Sequence, residues 1–83
     1  MEFDIIWSDS AVRELKKLDR TVARRIFDRV GGLRKDPYRQ VRKLVNSSHF
    51  RLRVGDYRVI IDIQAAALRV LVVKVGHRGS IYR

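Results

Sequence analysis

The stretch FRLRVGDYRVII, residues 50–61, decides how this chain folds. In its first half, apolar residues alternate with arginines, which is the period-two pattern of a half-buried strand. Gly55 and Asp56 then predict a two-residue hairpin loop, because glycine at the first loop position suits the mirror-image turns that match strand twist. The alternation resumes at Tyr57. We therefore predict two antiparallel strands joined by a tight turn.

This hairpin concentrates positive charge on one of its faces. With a two-residue loop, Arg53 lies directly opposite Arg58, and Arg51 shares their face. Like charges opposite each other destabilise a strand pair by roughly 0.2–1 kcal/mol. The nearest acidic residue on that face is Asp62, further along the strand. A single surface arginine is ordinarily just a solvated charge, but three uncompensated ones favour an anionic ligand such as a phosphate.

Composition restricts the class of protein and the class of partner. The 83 residues predict one domain spanning 1–83. The absence of cysteine fits a reducing cytoplasm, and no apolar run reaches the roughly 18 residues of a membrane span. Nineteen lysines and arginines against nine acidic residues give a net charge of +10. A charged thermophile surface would bring glutamate as well, so we expect a polyanionic partner.

The residues before the hairpin predict a strand and two helices. An alternating segment at residues 3–7 reads as the first strand. Ser8 or Asp9 can cap a first helix, and Asp19 can cap a second one that runs to residue 36, before Pro37. A short strand is expected at residues 42–45. The sequence thus places a helical hairpin between the first strand and the remaining ones.

The last strand, LRVLVVKV at residues 68–75, is almost continuously apolar and is therefore expected inside a sheet. The predicted fold class is α+β. It has an N-terminal strand, a two-helix hairpin and then a three- to four-stranded antiparallel sheet, with the helices packed on one face. The other face is left at least partly open, beside the basic hairpin.

Proton-transfer candidates follow the last strand. If that strand lies beside the hairpin, His77 and Arg78 emerge at a sheet end and can turn toward the arginines. A lone histidine is most often a surface or capping residue, but beside a phosphate site His77 is a candidate proton donor or acceptor. Tyr82, in the tail, is more often a packing residue; near several arginines its phenolate would be favoured.

No metal or cofactor is expected. Two histidines, no cysteine and no clustered carboxylates make a poor ligand set, and no glycine-rich phosphate loop is present. RNA supplies its own nucleophile, the 2′-hydroxyl, while arginine can stabilise a pentacoordinate phosphate. Metal-free RNA cleavage is therefore chemically available, with a 2′,3′-cyclic phosphate and a 5′-hydroxyl as products.

The pieces FRLRVGDYRVIIDI and VLVVKVGHRGSIYR, together with SDSAVRELKKLD near the start, resemble the RelE toxins of the RelE/ParE superfamily. The resemblance implies an mRNA endoribonuclease acting in the ribosomal A site and neutralised by an acidic RelB-type antitoxin. It also implies that catalytic positions of the family are occupied here by Arg51, Arg53, Arg58, His77, Arg78 and Tyr82. The best-understood branch has lysines where this chain has Arg51 and Arg53, which shifts proton transfer toward His77 or Tyr82.

Two alternatives to the nuclease stay open. One keeps the fold and makes the protein a ParE-like inhibitor of DNA gyrase without nuclease activity. The other is a non-enzymatic RNA-binding module that uses the same basic surface. The GHR…Y ending favours cleavage, because cleavage needs a group that moves protons.

Overall fold

The computed structural model describes residues 2–79, and its first third is a strand followed by two helices, as predicted. These elements are β1 (Asp4–Trp7), α1 (Asp9–Lys17) and α2 (Arg20–Gly31). The Ser8 hydroxyl accepts a hydrogen bond from the Ala11 amide at 3.1 Å. An Asp19 carboxylate oxygen accepts one from the Thr21 amide at 3.1 Å. Each cap satisfies a backbone donor that the first helical turn leaves unpaired.

Helix α2 is shorter than the predicted helix, which was expected to reach residue 36. Its α-helical part ends at Gly31, and Gly32–Arg34 continue as a 3₁₀ turn. Two adjacent glycines cost about 1 kcal/mol each in a helix interior, which explains the early end. Leu33 in the 3₁₀ turn is nevertheless buried in the core.

The remaining strands of the described chain complete a single five-stranded sheet. They are β2 (Val41–Lys43), β3 (Phe50–Val54), β4 (Tyr57–Gln64) and β5 (Arg69–His77), and the spatial order is β1-β5-β4-β3-β2. The pairs β2–β3, β3–β4 and β4–β5 are antiparallel, whereas β1 and β5 pair in parallel. The predicted α+β architecture is confirmed, and β5 is an interior strand flanked by β1 and β4.

The β3–β4 hairpin has the predicted register. Val54 pairs with Tyr57, and Arg53 pairs with Arg58. Gly55 has a φ of 59°, in the left-handed region that glycine adopts without strain, and Asp56 keeps a negative φ. This combination is that of a type II′ turn, whose twist matches the flanking strands.

Both helices pack against one side of the sheet. The buried core joins helical residues to alternate strand residues: Ala11, Ile26, Val30, Leu33, Leu52, Val54, Val59, Ile61, Val70, Val72 and Val75. We call this side the helix face. We call the opposite side, which carries Arg51, Arg53 and Arg58, the arginine face. Within residues 2–79 no helix covers the arginine face, on which Arg53 is exposed, Arg51 is half-buried and Arg58 is buried.

Strand β5 contains a β-bulge that the sequence did not predict. Ile61 pairs with Val72, but Ile60 pairs with Lys74, which leaves Val73 without a partner in the β4–β5 ladder. Val72 and Val75 are consequently both buried, although they are three residues apart. The extra residue reverses the alternation of side chains in the second half of the strand.

Candidate nucleic-acid interface

Arg58 is the fixed centre of the arginine face. Arg58 is only 8% exposed, although its side chain carries a permanent charge. Its Nη1 group donates to the carbonyl oxygens of Gly55 at 3.2 Å and of Tyr57 at 3.1 Å. Both bonds use the same nitrogen, so within residues 2–79 no hydrogen bond occupies Nε or Nη2. The carbonyl oxygens of Gly55 and Tyr57, at the hairpin turn, thus hold the Arg58 guanidinium in place.

Two further arginines surround Arg58. Arg53 pairs with it directly, at a typical Cβ separation of about 4.5–5.5 Å for such positions. Arg51 pairs with Ile60 and is therefore a diagonal neighbour of Arg58. Among residues 2–79, no carboxylate lies within 4.0 Å of any of these guanidinium groups. Asp62, on the same face, instead accepts a hydrogen bond from Gln64 at 3.1 Å.

Two basic residues that the sequence analysis did not single out also lie on the arginine face. Lys74 pairs with Ile60, and Arg42 on β2 pairs with Arg51. The four residues in order Arg42, Arg51, Ile60 and Lys74 thus form one row across four strands. Lys74 belongs to this row only because of the bulge, and Arg42 because β2 joins the sheet edge. The face on which Arg42 and Lys74 lie follows from how the strands pair, and the sequence alone does not give that pairing.

His77 does not turn toward the arginines, contrary to the sequence-based expectation. It pairs with Tyr57, and the two rings form an edge-on contact with centroids 5.5 Å apart. Tyr57 packs against the core on the helix face. His77 also lines a cleft of about 350 Å³ together with Glu14 and Leu18 of the helical hairpin and with Lys74 of β5. The bulge in β5 is the physical reason, because it reverses the face of every residue after Val73.

The imidazole of His77 also contacts the chain that follows β5. Its Nδ1 accepts a hydrogen bond from the Gly79 amide at 3.3 Å. In this arrangement the histidine helps to shape the chain that follows β5.

Arg78 and Tyr82 complete the set of candidate residues. The Arg78 amide donates to the Asp56 carbonyl at 2.9 Å, which ties the end of β5 to the hairpin turn. Arg78 therefore lies at the end of the sheet where Arg53 and Arg58 also lie. Tyr82 falls outside the described residues, and its role stays a prediction from the resemblance.

A second guanidinium, from helix α2, lies close to the hairpin turn. A Cβ atom built at Gly55 would lie 3.5 Å from Nη1 of Arg25. This second arginine adds positive charge near the turn and was not apparent from the sequence.

The chemistry available on the arginine face is anion binding. Guanidinium groups bind phosphate oxygens in a bidentate manner and do not give up their protons. Residues 2–79 contain no group of three or more histidine, cysteine, aspartate or glutamate side chains placed to hold a metal ion. Over the same residues, no helix has the length and apolar character needed to cross a membrane.

The chain matches a family profile described as the ParE toxin of the type II toxin–antitoxin system parDE, over residues 5–82. No curated protein sequence matches it. Among solved structures, it is similar to the RelBE2 toxin–antitoxin complex of Mycobacterium tuberculosis, with 25% identity and a TM-score of 0.87. That match covers 94% of this chain and 100% of the other.

Two further structures have the same fold. The archaeal RelE–RelB complex of Pyrococcus horikoshii matches with 25% identity and a TM-score of 0.83, over 96% of this chain and 99% of the other. The RelBE complex of Escherichia coli matches with 19% identity and a TM-score of 0.81, over 90% and 95% of the two chains. The chain thus belongs to the ParE toxin family, is a toxin of type II toxin–antitoxin systems within the RelE/ParE superfamily, and has the fold of the RelE toxins.

Proposed function

We propose that this toxin is a metal-independent endoribonuclease that cleaves mRNA in the ribosomal A site. The observation that carries the proposal is the arginine face. Arg58 is buried and fixed by two carbonyl oxygens, Arg53 is its direct neighbour, and no carboxylate of residues 2–79 neutralises either. A folded protein tolerates this repulsion at a cost, and a bound phosphate would relieve it.

The proposed reaction is attack of the RNA 2′-oxygen on the adjacent phosphorus. Negative charge grows on the phosphate oxygens in the transition state, and preorganised donors aimed at those oxygens stabilise it. Arg58 is suited to this role because its Nη1 bonds fix the plane of the guanidinium. In this proposal Arg51 and Arg53 contact the same phosphate or its neighbour. The ribosome would hold the message in line for attack, as the resemblance implies.

The proposed partner in the neutralised state is an acidic RelB-type antitoxin. A chain with a net charge of +10 needs a polyanion to cover it, and an acidic segment laid across the arginine face would compete with RNA. The solved structures similar to this chain include RelB–RelE complexes. We expect the toxin to co-purify with a small acidic protein encoded beside it, and recovery of the toxin alone from its native source would contradict this.

A second candidate function is inhibition of DNA gyrase. The specific observation in its favour is that the matching family profile is the ParE toxin of parDE. The same basic surface would then bind a protein or DNA partner and no RNA bond would break. A supercoiling assay with purified gyrase distinguishes this candidate from the nuclease.

The test is cleavage of a defined mRNA on ribosomes with an empty A site. The toxin is used either untreated or after a chelator has removed its divalent ions. We expect a new 5′ end within the A-site codon, a 5′-hydroxyl on the downstream fragment, and no effect of the pretreatment. The variant R53A/R58A should leave the message intact. Intact message with folded wild-type toxin would refute the nuclease, and inhibited supercoiling in that case would establish the gyrase function.

A further inference from the structure

We infer that Lys74 is the proton donor to the leaving 5′-oxygen, an inference that rests on the proposed nuclease function. The bulge at Val73 places Lys74 on the arginine face, paired with Ile60. Arg58 pairs with Gly76, two residues further along β5, so Lys74 is a diagonal neighbour of Arg58. Such positions are about 7–8 Å apart, within reach of long side chains that meet at one phosphate.

The other candidates on this surface are less suitable. Arginine holds its proton at any accessible pH, which excludes the guanidinium groups as donors. His77 borders the same cleft as Lys74, but its ring contacts Tyr57 on the helix face and its Nδ1 accepts a hydrogen bond from the Gly79 amide. Asp62 already accepts a hydrogen bond from Gln64 and is two residues further along β4 than Ile60. Within the described part of the chain, this leaves Lys74 as the titratable cation beside Arg58.

The geometry of β5 supports this assignment independently of charge. An unbroken alternation from Val70 and Val72 would point Lys74 into the core, where an ammonium group is costly. The bulge moves it to the exposed surface while Val75, the next residue, stays buried at 2% exposure. Bulges are frequent beside active sites because they re-aim single side chains in this way.

The 2′-oxygen forms a bond to phosphorus and its proton passes to water, while the bond between phosphorus and the 5′-oxygen breaks. The Lys74 ammonium gives a proton to that 5′-oxygen and becomes a neutral amine, which then regains a proton from solvent. Arg58 and Arg53 hold the phosphate charge throughout and exchange no proton. The products are the cyclic phosphate and the 5′-hydroxyl.

The experiment compares two messages on ribosomes, one normal and one with sulfur in place of the bridging 5′-oxygen at the cleaved position. A thiol has a pKa of about 8.5, far below that of an alcohol, so a thiolate leaves without being protonated. We expect Lys74→Arg to slow single-turnover cleavage of the normal message by about 100-fold or more. The same variant should cleave the sulfur message almost as fast as wild type does.

Matched variants show whether Lys74 acts by donating a proton or only by carrying a positive charge. Arg58→Ala should be slow on both messages, because the phosphate charge is unaffected by the sulfur. Lys43→Arg changes a lysine on the helix-face side of β2 and should behave as wild type on both. Circular dichroism and ribosome binding confirm that Lys74→Arg is folded and engaged.

The outcomes are distinguishable. Wild-type toxin that cleaves neither message overturns the proposed function itself. Wild-type toxin that cleaves both, together with an unimpaired Lys74→Arg variant or one that sulfur does not rescue, overturns the assignment of Lys74 alone. If Tyr82→Phe shows the sulfur-rescued defect instead, the donor is the tail tyrosine and Lys74 is excluded.

Discussion

The two halves of strand β5 follow opposite rules although they belong to one continuous element. Before Val73, the residues at even positions face the core, as Val70 and Val72 do. After Val73, the odd position Val75 faces the core and Lys74 faces outward. One extra residue therefore exchanges a lysine and a histidine between the two faces of the sheet. Which side chains this site contains therefore depends on one unpaired residue as much as on the arginines.

Exchanging the two residues after the bulge gives the largest expected effect. In the double variant K74V/V75K the composition is unchanged, but a lysine replaces a valine that is 2% exposed. Loss of the buried valine costs about 1.5–3 kcal/mol, and an unpaired buried ammonium adds more. A domain of this size has a total stability of about 4–12 kcal/mol, so most of it would be lost. Urea unfolding followed by circular dichroism measures the change.

The single variant K74V is the control, because it alters only an exposed side chain and should stay within about 0.5 kcal/mol of wild type. If alternation were unbroken, the exchange would instead remove a lysine from the core and would stabilise the protein. A double variant as stable as K74V would therefore show that the bulge is absent from the folded protein.

The next largest expected effect is on the cleavage rate. It should differ between a variant of the arginine face and a variant of the helix face. Arg58→Ala should slow cleavage of ribosome-bound mRNA by about 10²–10³-fold, the usual cost of removing one preorganised donor. His77→Ala should leave the chemical step close to the wild-type rate, because its ring contacts Tyr57 on the helix face. Single-turnover rates at saturating ribosomes measure both.

Equal losses in the two variants would contradict this contrast and would return His77 to the reaction. Thermal unfolding of both variants is the control, since the hydrogen bonds of Arg58 to Gly55 and Tyr57 also hold the turn. An Arg58→Lys variant helps here, because it keeps a cation while losing the planar fork.

Much of the fold could be predicted because its determinants are local. The turn at Gly55 and Asp56 fixes the hairpin register, and Ser8 and Asp19 mark the helix starts by their own hydrogen bonds. Turns and helix caps of this kind depend on residues only a few positions apart in the sequence, so the sequence is enough to predict them. The convergence of Arg51, Arg53 and Arg58 on one sheet face followed from the same register.

The face of His77 and Lys74 could not be predicted in the same way. In LRVLVVKV, valine stands at both odd and even positions, so neither alternation is excluded by hydrophobicity. One signal was present, because an unbroken strand would have buried Lys74. The presence of a lysine at position 74 indicates that the strand needs a bulge but does not give the position of the bulge. That position depends on how β4 and β5 pair and pack against the helices.

The smallest expected effect has the opposite sign to the others and tests whether the arginine face is under strain. Arg53→Thr removes one of two cations that pair directly, so it should stabilise the protein by roughly 0.2–1 kcal/mol while impairing cleavage. Arg69→Thr is the contrasting variant, because Arg69 pairs with Asp4 and Gln64, so its loss removes an attraction and should lower the stability slightly. Urea midpoints at low and high salt measure both, and the gain for Arg53→Thr should shrink as salt screens the repulsion. If Arg53→Thr is no more stable than wild type at low salt, the guanidinium groups do not repel each other in the free toxin, and a bound phosphate would have no repulsion to relieve.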